Sequence, residues 1–129
     1  MMLRARHHLP VEIHGSGMQT RCFCNVEDVA KGIVELVSAA AYGHSVYNIG
    51  RDEPTRIIDL AEQIVRACGS RSNIIHVAYG SMPNGFDAIE HRQPDVSRMK
   101  ADVGWQAQVP LSDTIMQIVM SAQSSGVTI

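Results

Sequence analysis

Two arginine-bearing stretches hold the strongest chemical signal in this 129-residue chain. The first is Gly15-Ser16-Gly17-Met18-Gln19-Thr20-Arg21-Cys22-Phe23, followed by Val26-Glu27-Asp28. The second is Arg92-Gln93-Pro94-Asp95. Guanidinium is planar and permanently charged, and it grips phosphate oxygens two at a time. Two such groups brought together by folding would clamp a diphosphate. Spacing alone also allows a plainer reading. Arg21 can pair with Glu27 or Asp28, and Arg92 can be a solvated charge beside Glu90 and His91. Gly15 and Gly17 read as a turn rather than a phosphate loop, because no helix follows them directly. Asp28 reads as the cap of the helix that comes after it.

The remaining reactive side chains form no constellation. The six histidines have no metal-ligand spacing, and no metal is expected. Cys22 and Cys24 fall on one face of an extended piece, and Cys68 stands alone. A C-x-C pair without partners is a poor zinc site. Three free thiols fit a reducing cytosol, which gives a cytoplasmic expectation. Trp105 reads as core, and Met116 and Met120, one helical turn apart, as packing or interface residues.

Elements must position the two arginines. Leu9–His14 alternates as a short strand, Gly15–Gly17 is a turn, and Arg21–Val26 is extended. Asp28–Ala41 carries apolar residues at helical spacing, with Gly43 just past its end. Ser45–Gly50 reads as an apolar strand suited to cover on both faces. Ile57–Cys68 is an amphipathic helix stopped by Gly69. Asn73–Ala78 reads as a strand, 80–93 as a loop, Val96–Val103 as a short helix ended by Gly104. A last helix starts near Ser112, with Ile115, Ile118, Val119 and Ala122 on one face. Residues 1–8 and 126–129 read as flexible ends around a single unit at 9–125. The alternation gives α/β structure: a small mixed domain of short strands and about four helices.

Bulk properties narrow the function. Hydrophobic residues make up 45% and charged residues 19%, which argues against disorder. The net charge of -2 offers no basic field for nucleic acid. No stretch approaches a membrane span and no secretory signal opens the chain.

The arginine motifs sit within a longer series of motifs in a fixed order. They are Pro10-Val11-Glu12-Ile13-His14-Gly15-Ser16-Gly17, Gln19-Thr20-Arg21-Cys22-Phe23, Val26-Glu27-Asp28-Val29, Val46-Tyr47-Asn48-Ile49-Gly50, Asp59-Leu60-Ala61-Glu62-Gln63-Ile64, Arg92-Gln93-Pro94-Asp95, and Gly104-Trp105 before Val109-Pro110-Leu111. In this order they resemble the C-terminal part of the NAD-dependent epimerase/dehydratase family, the extended short-chain dehydrogenases, and its nucleotide-sugar members above all. The resemblance implies that the substrate-binding region of that fold is present without the Rossmann half. It implies that Arg21 and Arg92 contact a nucleotide diphosphate from two sides and that Asp95 lies near the ribose. It implies further that the strand of Val11 and Ile13 flanks the base, with Gln19 beside them. Family members commonly have tyrosine where His14 stands. They usually have a capping threonine or serine where Arg56 stands, which passes the cap to Thr55.

Two family features are missing. There is no Gly-x-x-Gly-x-x-Gly turn. The tyrosines Tyr42, Tyr47 and Tyr79 have Val46, Arg51 and Pro83 four positions on, so there is no Tyr-x-x-x-Lys pair. No catalytic residue is therefore expected, and no cofactor bound by this chain alone; NAD belongs to the full-length family. The expected ligand is a UDP- or dTDP-sugar held by an inactive region. The alternative is a non-catalytic module that self-associates as a homo-oligomer or by exchanging elements between copies, because a shortened fold leaves apolar faces to cover.

Overall fold

A computed structural model describes residues 1–39, 46–79 and 89–124. The elements run α1 (Met2–Arg6), β1 (Val11–His14), β2 (Thr20–Cys22), α2 (Val26–Ser38), β3 (Pro54–Arg56), α3 (Ile57–Ala67), β4 (Ile74–Val77), β5 (His91–Arg92), α4 (Ser97–Val103) and α5 (Leu111–Ser124). This is the mixed α/β unit expected, with five helices among the described residues rather than about four.

The core forms where three apolar stripes meet. Val11 and Ile13 point inward from β1, two residues apart as strand geometry requires. Leu60, Ala61 and Ile64 recur at helical spacing on α3, and Ile115 and Val119 on α5. Ala5 of α1 closes one end, fully buried. Burying a side chain such as Ile13 contributes about 1.5–3 kcal/mol, so these few residues hold β1, α3 and α5 together.

The strands form two small sheets. β1 pairs in parallel with β4, from Val11 opposite Ile74 to His14 opposite Val77. β2 is the middle of the other sheet, antiparallel to β3 and parallel to β5. The turn between β1 and β2 needs its glycines. Gly17 has φ +76°, and a Cβ there would come within 2.7 Å of the Ile13 side chain.

Several expectations are corrected. Residues 2–6, expected to be loose, are helical, because Ala5 is a core residue and Arg4 forms an ion pair with Glu12. The helix expected from Asp28 begins at Val26, and Asn25 is its cap, its side chain accepting the Glu27 N–H at 2.9 Å. α2 ends at Ser38; its expected extension to Ala41 and Gly43 runs outside the described residues past Ala39. Residues 46–49 belong to no strand, although their side chains alternate in exposure. Of the expected loop, 80–88 lies outside the described residues and His91–Arg92 is β5. Ile118, expected inward, is 42% exposed because the core takes Ile115, Val119 and Ala122. Thr55 lies within β3 and does not cap α3, whose N-cap Arg56 makes no side-chain cap bond. The tail after Ser124 lies outside the described residues. No described helix is long and apolar enough to cross a membrane.

Candidate functional site

Arg21 and Arg92 meet because β5 lies in parallel register beside β2, with Arg21 directly opposite Arg92. Paired residues of neighbouring strands share a face about 4.8 Å apart, so the two guanidinium stems leave the sheet side by side. The pairing is fixed partly by Arg21 itself. Its guanidinium donates to the carbonyls of Thr20 at 2.6 Å, Glu90 at 3.4 Å and Ile89 at 2.9 Å. Those bonds tie the approach to β5 onto β2. Glu27 and Asp28, the partners that spacing suggested, are not used. An arginine has five N–H donors, so these three bonds leave two of them for a ligand. Arg92 is exposed and makes no side-chain hydrogen bond or ion pair among the described residues.

The two arginines open into a cleft of about 590 Å³ whose lining includes Cys22, Cys24, Ile49, Arg51 and His91. No carboxylate among the described residues lines it. Arg51 is the functional candidate that sequence reading missed. Its side chain donates twice to Glu53, at 2.7 and 2.9 Å, and once to the Val109 carbonyl at 3.1 Å. A lone arginine between Gly50 and Asp52 reads as a solvated charge, and only the fold turns it inward. His91 also went unread; its Nδ1 is hydrogen-bonded to the Thr20 hydroxyl at 3.0 Å.

The other expected site residues lie elsewhere. Val11 and Ile13 have their side chains in the core and none in the cleft. Gln19 lines a second opening with Ser16, Met18, Tyr79, Glu90 and His91, and donates to the His14 carbonyl at 2.8 Å. Asp95 borders a third, with Asp52 and Lys100, adjoining the first at Gln93 and Pro94. Bonds from the Ser97 hydroxyl and N–H hold the Asp95 carboxyl below the usual carboxylate range.

The thiols in the cleft are not activated. Burial, with Asp52 adding to it, pushes Cys22 above its ordinary 9.0. Burial and then Asp28 do the same for Cys24, against a smaller opposing effect of Arg51. No group of three or more possible metal ligands exists among the described residues.

A dinucleotide finds no cradle among the described residues. Its pyrophosphate needs a glycine turn opening directly onto a helix N-terminus. Here Gly15-Ser16-Gly17 leads to β2, and the Tyr79 ring fills the space where a Gly15 Cβ would stand, with Cε2 2.2 Å from that position. The longer helices carry carboxylates in their first turns: Glu27 and Asp28 on α2, Asp59 on α3, Asp113 on α5. Those acids already neutralise the helix termini.

No family model matches the sequence. Among curated proteins, the chain is 34% identical over 89 residues to a UDP-N-acetyl-alpha-D-glucosaminuronate decarboxylase of Bacillus cytotoxicus, covering 68% of this chain and 27% of that protein. It is 30% identical over 118 residues to UDP-glucuronic acid decarboxylase 1 of Danio rerio, covering 92% of this chain and again 27% of the relative. The chain thus spans about a quarter of the length of these relatives. Its fold matches a UDP-glucuronic acid 4-epimerase of Bacillus cereus, solved with UDP-glucuronic acid and NAD. The TM-score is 0.78 at 22% identity, over 93% of this chain and 38% of that one.

Proposed function

From the premise that this chain is a C-terminal part of the NAD-dependent epimerase/dehydratase family, we propose that it holds the diphosphate of a nucleotide sugar between Arg21 and Arg92. The observation that carries this reading is their direct cross-strand pairing in a cleft that no described carboxylate lines. The two free donors of Arg21 and the unengaged guanidinium of Arg92 reach one pyrophosphate from two sides. Arg51 lines the same cleft, but its charge is already paired with Glu53. Asp95, below on the same rim, is an acceptor for ribose hydroxyls, and Gln19 and the β1 backbone stand on the base side. The chain supplies binding and orientation, and the chemistry belongs to groups it does not contain. In a whole enzyme of the family the ligand is a UDP- or dTDP-sugar, and bound NAD supplies hydride transfer.

Calorimetric titration with UDP against UMP tests the clamp. The expected result is preference for UDP, reduced about tenfold or more in Arg21→Ala and in Arg92→Ala, since each charge-assisted bond contributes about 1.5–3 kcal/mol. Equal affinity for UMP and UDP rejects it.

A second reading, a non-catalytic module that self-associates, draws on the valines that α2 exposes. Light scattering at high concentration separates the two, because a monomer that binds UDP supports only the first.

A further inference from the structure

His91 stands where two openings of opposite character meet. β5 puts it directly opposite Thr20 of β2, one position before Arg92. The backbone holds that register: the Thr20 N–H donates to the Glu90 carbonyl at 2.8 Å, and the Arg21 side chain donates to the carbonyls of Ile89 and Glu90. The arginine cleft and the opening beside Gln19 share one described lining residue, and it is His91. The cleft brings Arg21 and Arg92 together, and no described carboxylate lines it. The second opening has Glu90 in its lining and, among the described residues, no arginine or lysine. Anionic oxygens are stabilised in the first and repelled in the second, which suits an uncharged ring. A nucleotide that spans the two therefore passes His91 at the phosphate joined to its nucleoside.

We propose that His91 donates from Nε2 to the α-phosphate of the nucleotide in this cleft, and that Thr20 is the positioning residue that orients its ring. The inference rests on the diphosphate reading of Arg21 and Arg92 and adds the contact at the nucleoside end. The hydrogen-bond chemistry of the ring supports it. Nδ1 lies 3.0 Å from the Thr20 hydroxyl. A hydroxyl both donates and accepts. It therefore satisfies Nδ1 in the neutral tautomer with hydrogen on Nε2, by donating, and in the imidazolium, by accepting. In both states Nε2 carries a hydrogen, and the partner of one ring nitrogen sets what the other can do. A phosphate oxygen only accepts, so it is served by a nitrogen in either of these two states. The side chain is exposed, and Nε2 makes no hydrogen bond among the described residues. The same Thr20 that pairs β2 with β5 through its backbone thus aims the ring through its side chain.

Calorimetric titration of this chain with UDP, UMP and uridine tests the contact. His91→Phe keeps a flat ring and removes the N–H. It is expected to weaken UDP and UMP by the same factor, about three- to tenfold, and to leave uridine unchanged. Thr20→Val is expected to weaken both nucleotides by a smaller factor, and Thr20→Ser, which keeps the hydroxyl, to recover most of that loss. Long-range proton–nitrogen correlation spectra are expected to show hydrogen on His91 Nε2 in the UDP complex. The Arg92 amide resonance in the same samples verifies that β5 stays paired in each variant. Three results each overturn the proposal: UDP and UMP affinities unchanged by His91→Phe, a loss confined to UDP, or an Nε2 without hydrogen in the complex. The clamp fails separately. Wild-type chain that binds UMP as tightly as UDP rejects the clamp, even where His91→Phe weakens both. A wild-type preference for UDP that His91→Phe leaves untouched, with both affinities unchanged, rejects His91 and keeps the clamp. A chain that binds neither nucleotide rejects both.

Discussion

At the scale of single residues, the candidate site is legible in the sequence only where a motif stands behind it. Arg21 and Arg92 were named from their motifs, and the register of β2 and β5 puts them side by side. Asp28 shows the opposite case. Read locally it is a cap, but its carboxylate accepts the N–H groups of Gln108 at 2.8 Å and Val109 at 2.7 Å, eighty positions away. No local pattern contains such a partner. Asp28→Ala leaves two N–H groups without their acceptor and is expected to lower stability by about 3 kcal/mol, read by urea unfolding. The cleft thiols give a second check. Cys22 and Cys24 both titrate above 9.0, so they are protonated and sluggish at neutral pH. Iodoacetamide at pH 7.5 is expected to label them more slowly than free cysteine, and UDP to slow the labelling further. Labelling unaffected by saturating UDP would place the ligand away from this cleft. Acid should act through exposed carboxylates. Asp59 is held below its ordinary 3.8 by the side-chain bond from Arg56, and Asp95 by Ser97. A depressed folded pKa adds stability that is present above 3.8 and is lost as pH falls through the lower folded value. Asp95 is exposed and Asp59 is half-buried in a surface ion pair with Arg56, so solvent screening keeps the effect small. Asp59→Asn is expected to lower stability slightly at neutral pH, to leave it unchanged in acid where the wild-type carboxyl is protonated, and so to flatten the profile below about pH 4, read by urea unfolding across that range.

At the scale of elements, strong periods were legible and short pieces were not. α3 and α5 announce themselves through four or more apolar residues at helical spacing. β5 has two residues, too few to show any period, and it exists because β2 offers an edge and Arg21 grips the carbonyls leading into it. α1 is not legible in the sequence because five residues with two arginines look frayed, and its one fully buried residue, Ala5, is small. The 46–49 segment looked like a strand from its β-branched residues, but propensity gives no ladder without a neighbour. α2 was legible as a helix, yet its inner face is set by a glycine. Two effects oppose each other at Gly32→Ala. Helix propensity favours alanine by about 1 kcal/mol, whereas the new methyl would press on Trp105 and Ile49 from 2.8–3.1 Å in a closed site. Overpacking costs about 1–3 kcal/mol, so a net loss of about 1 kcal/mol is expected, with a shift in Trp105 fluorescence. An unchanged or raised melting temperature would mean that Trp105 yields freely.

At the scale of the whole molecule, the chain divides the work of its family unevenly. It contains a cleft lined by three arginines, one of them paired with Glu53, and by no carboxylate among the described residues. It lacks both of the sequence features that the family's chemistry needs, the glycine-rich cofactor turn and the Tyr-x-x-x-Lys pair. Substrate could bind without turnover, because holding a diphosphate orients a sugar but moves no proton or hydride. A tyrosine next to a lysine would be required to take the proton from a sugar hydroxyl. Tyr47 instead donates its hydroxyl to Asp102 at 3.0 Å, on the α4 side of the fold. The cleft thiols are protonated, and a protonated thiol is a poor base. Anionic NAD would also meet carboxylates at the first turns of α2, α3 and α5. The isolated chain is therefore expected to bind UDP, to leave NAD unbound in equilibrium dialysis, and to give no product from UDP-glucose or UDP-glucuronic acid by chromatography after prolonged incubation. Product formed by this chain alone, and lost in Arg92→Ala, would mean that a proton acceptor exists within it and that binding and chemistry are not divided in this way. Turnover that appears only once an NAD-binding half is added would instead place the acceptor on that half and keep this chain as the holder of the diphosphate.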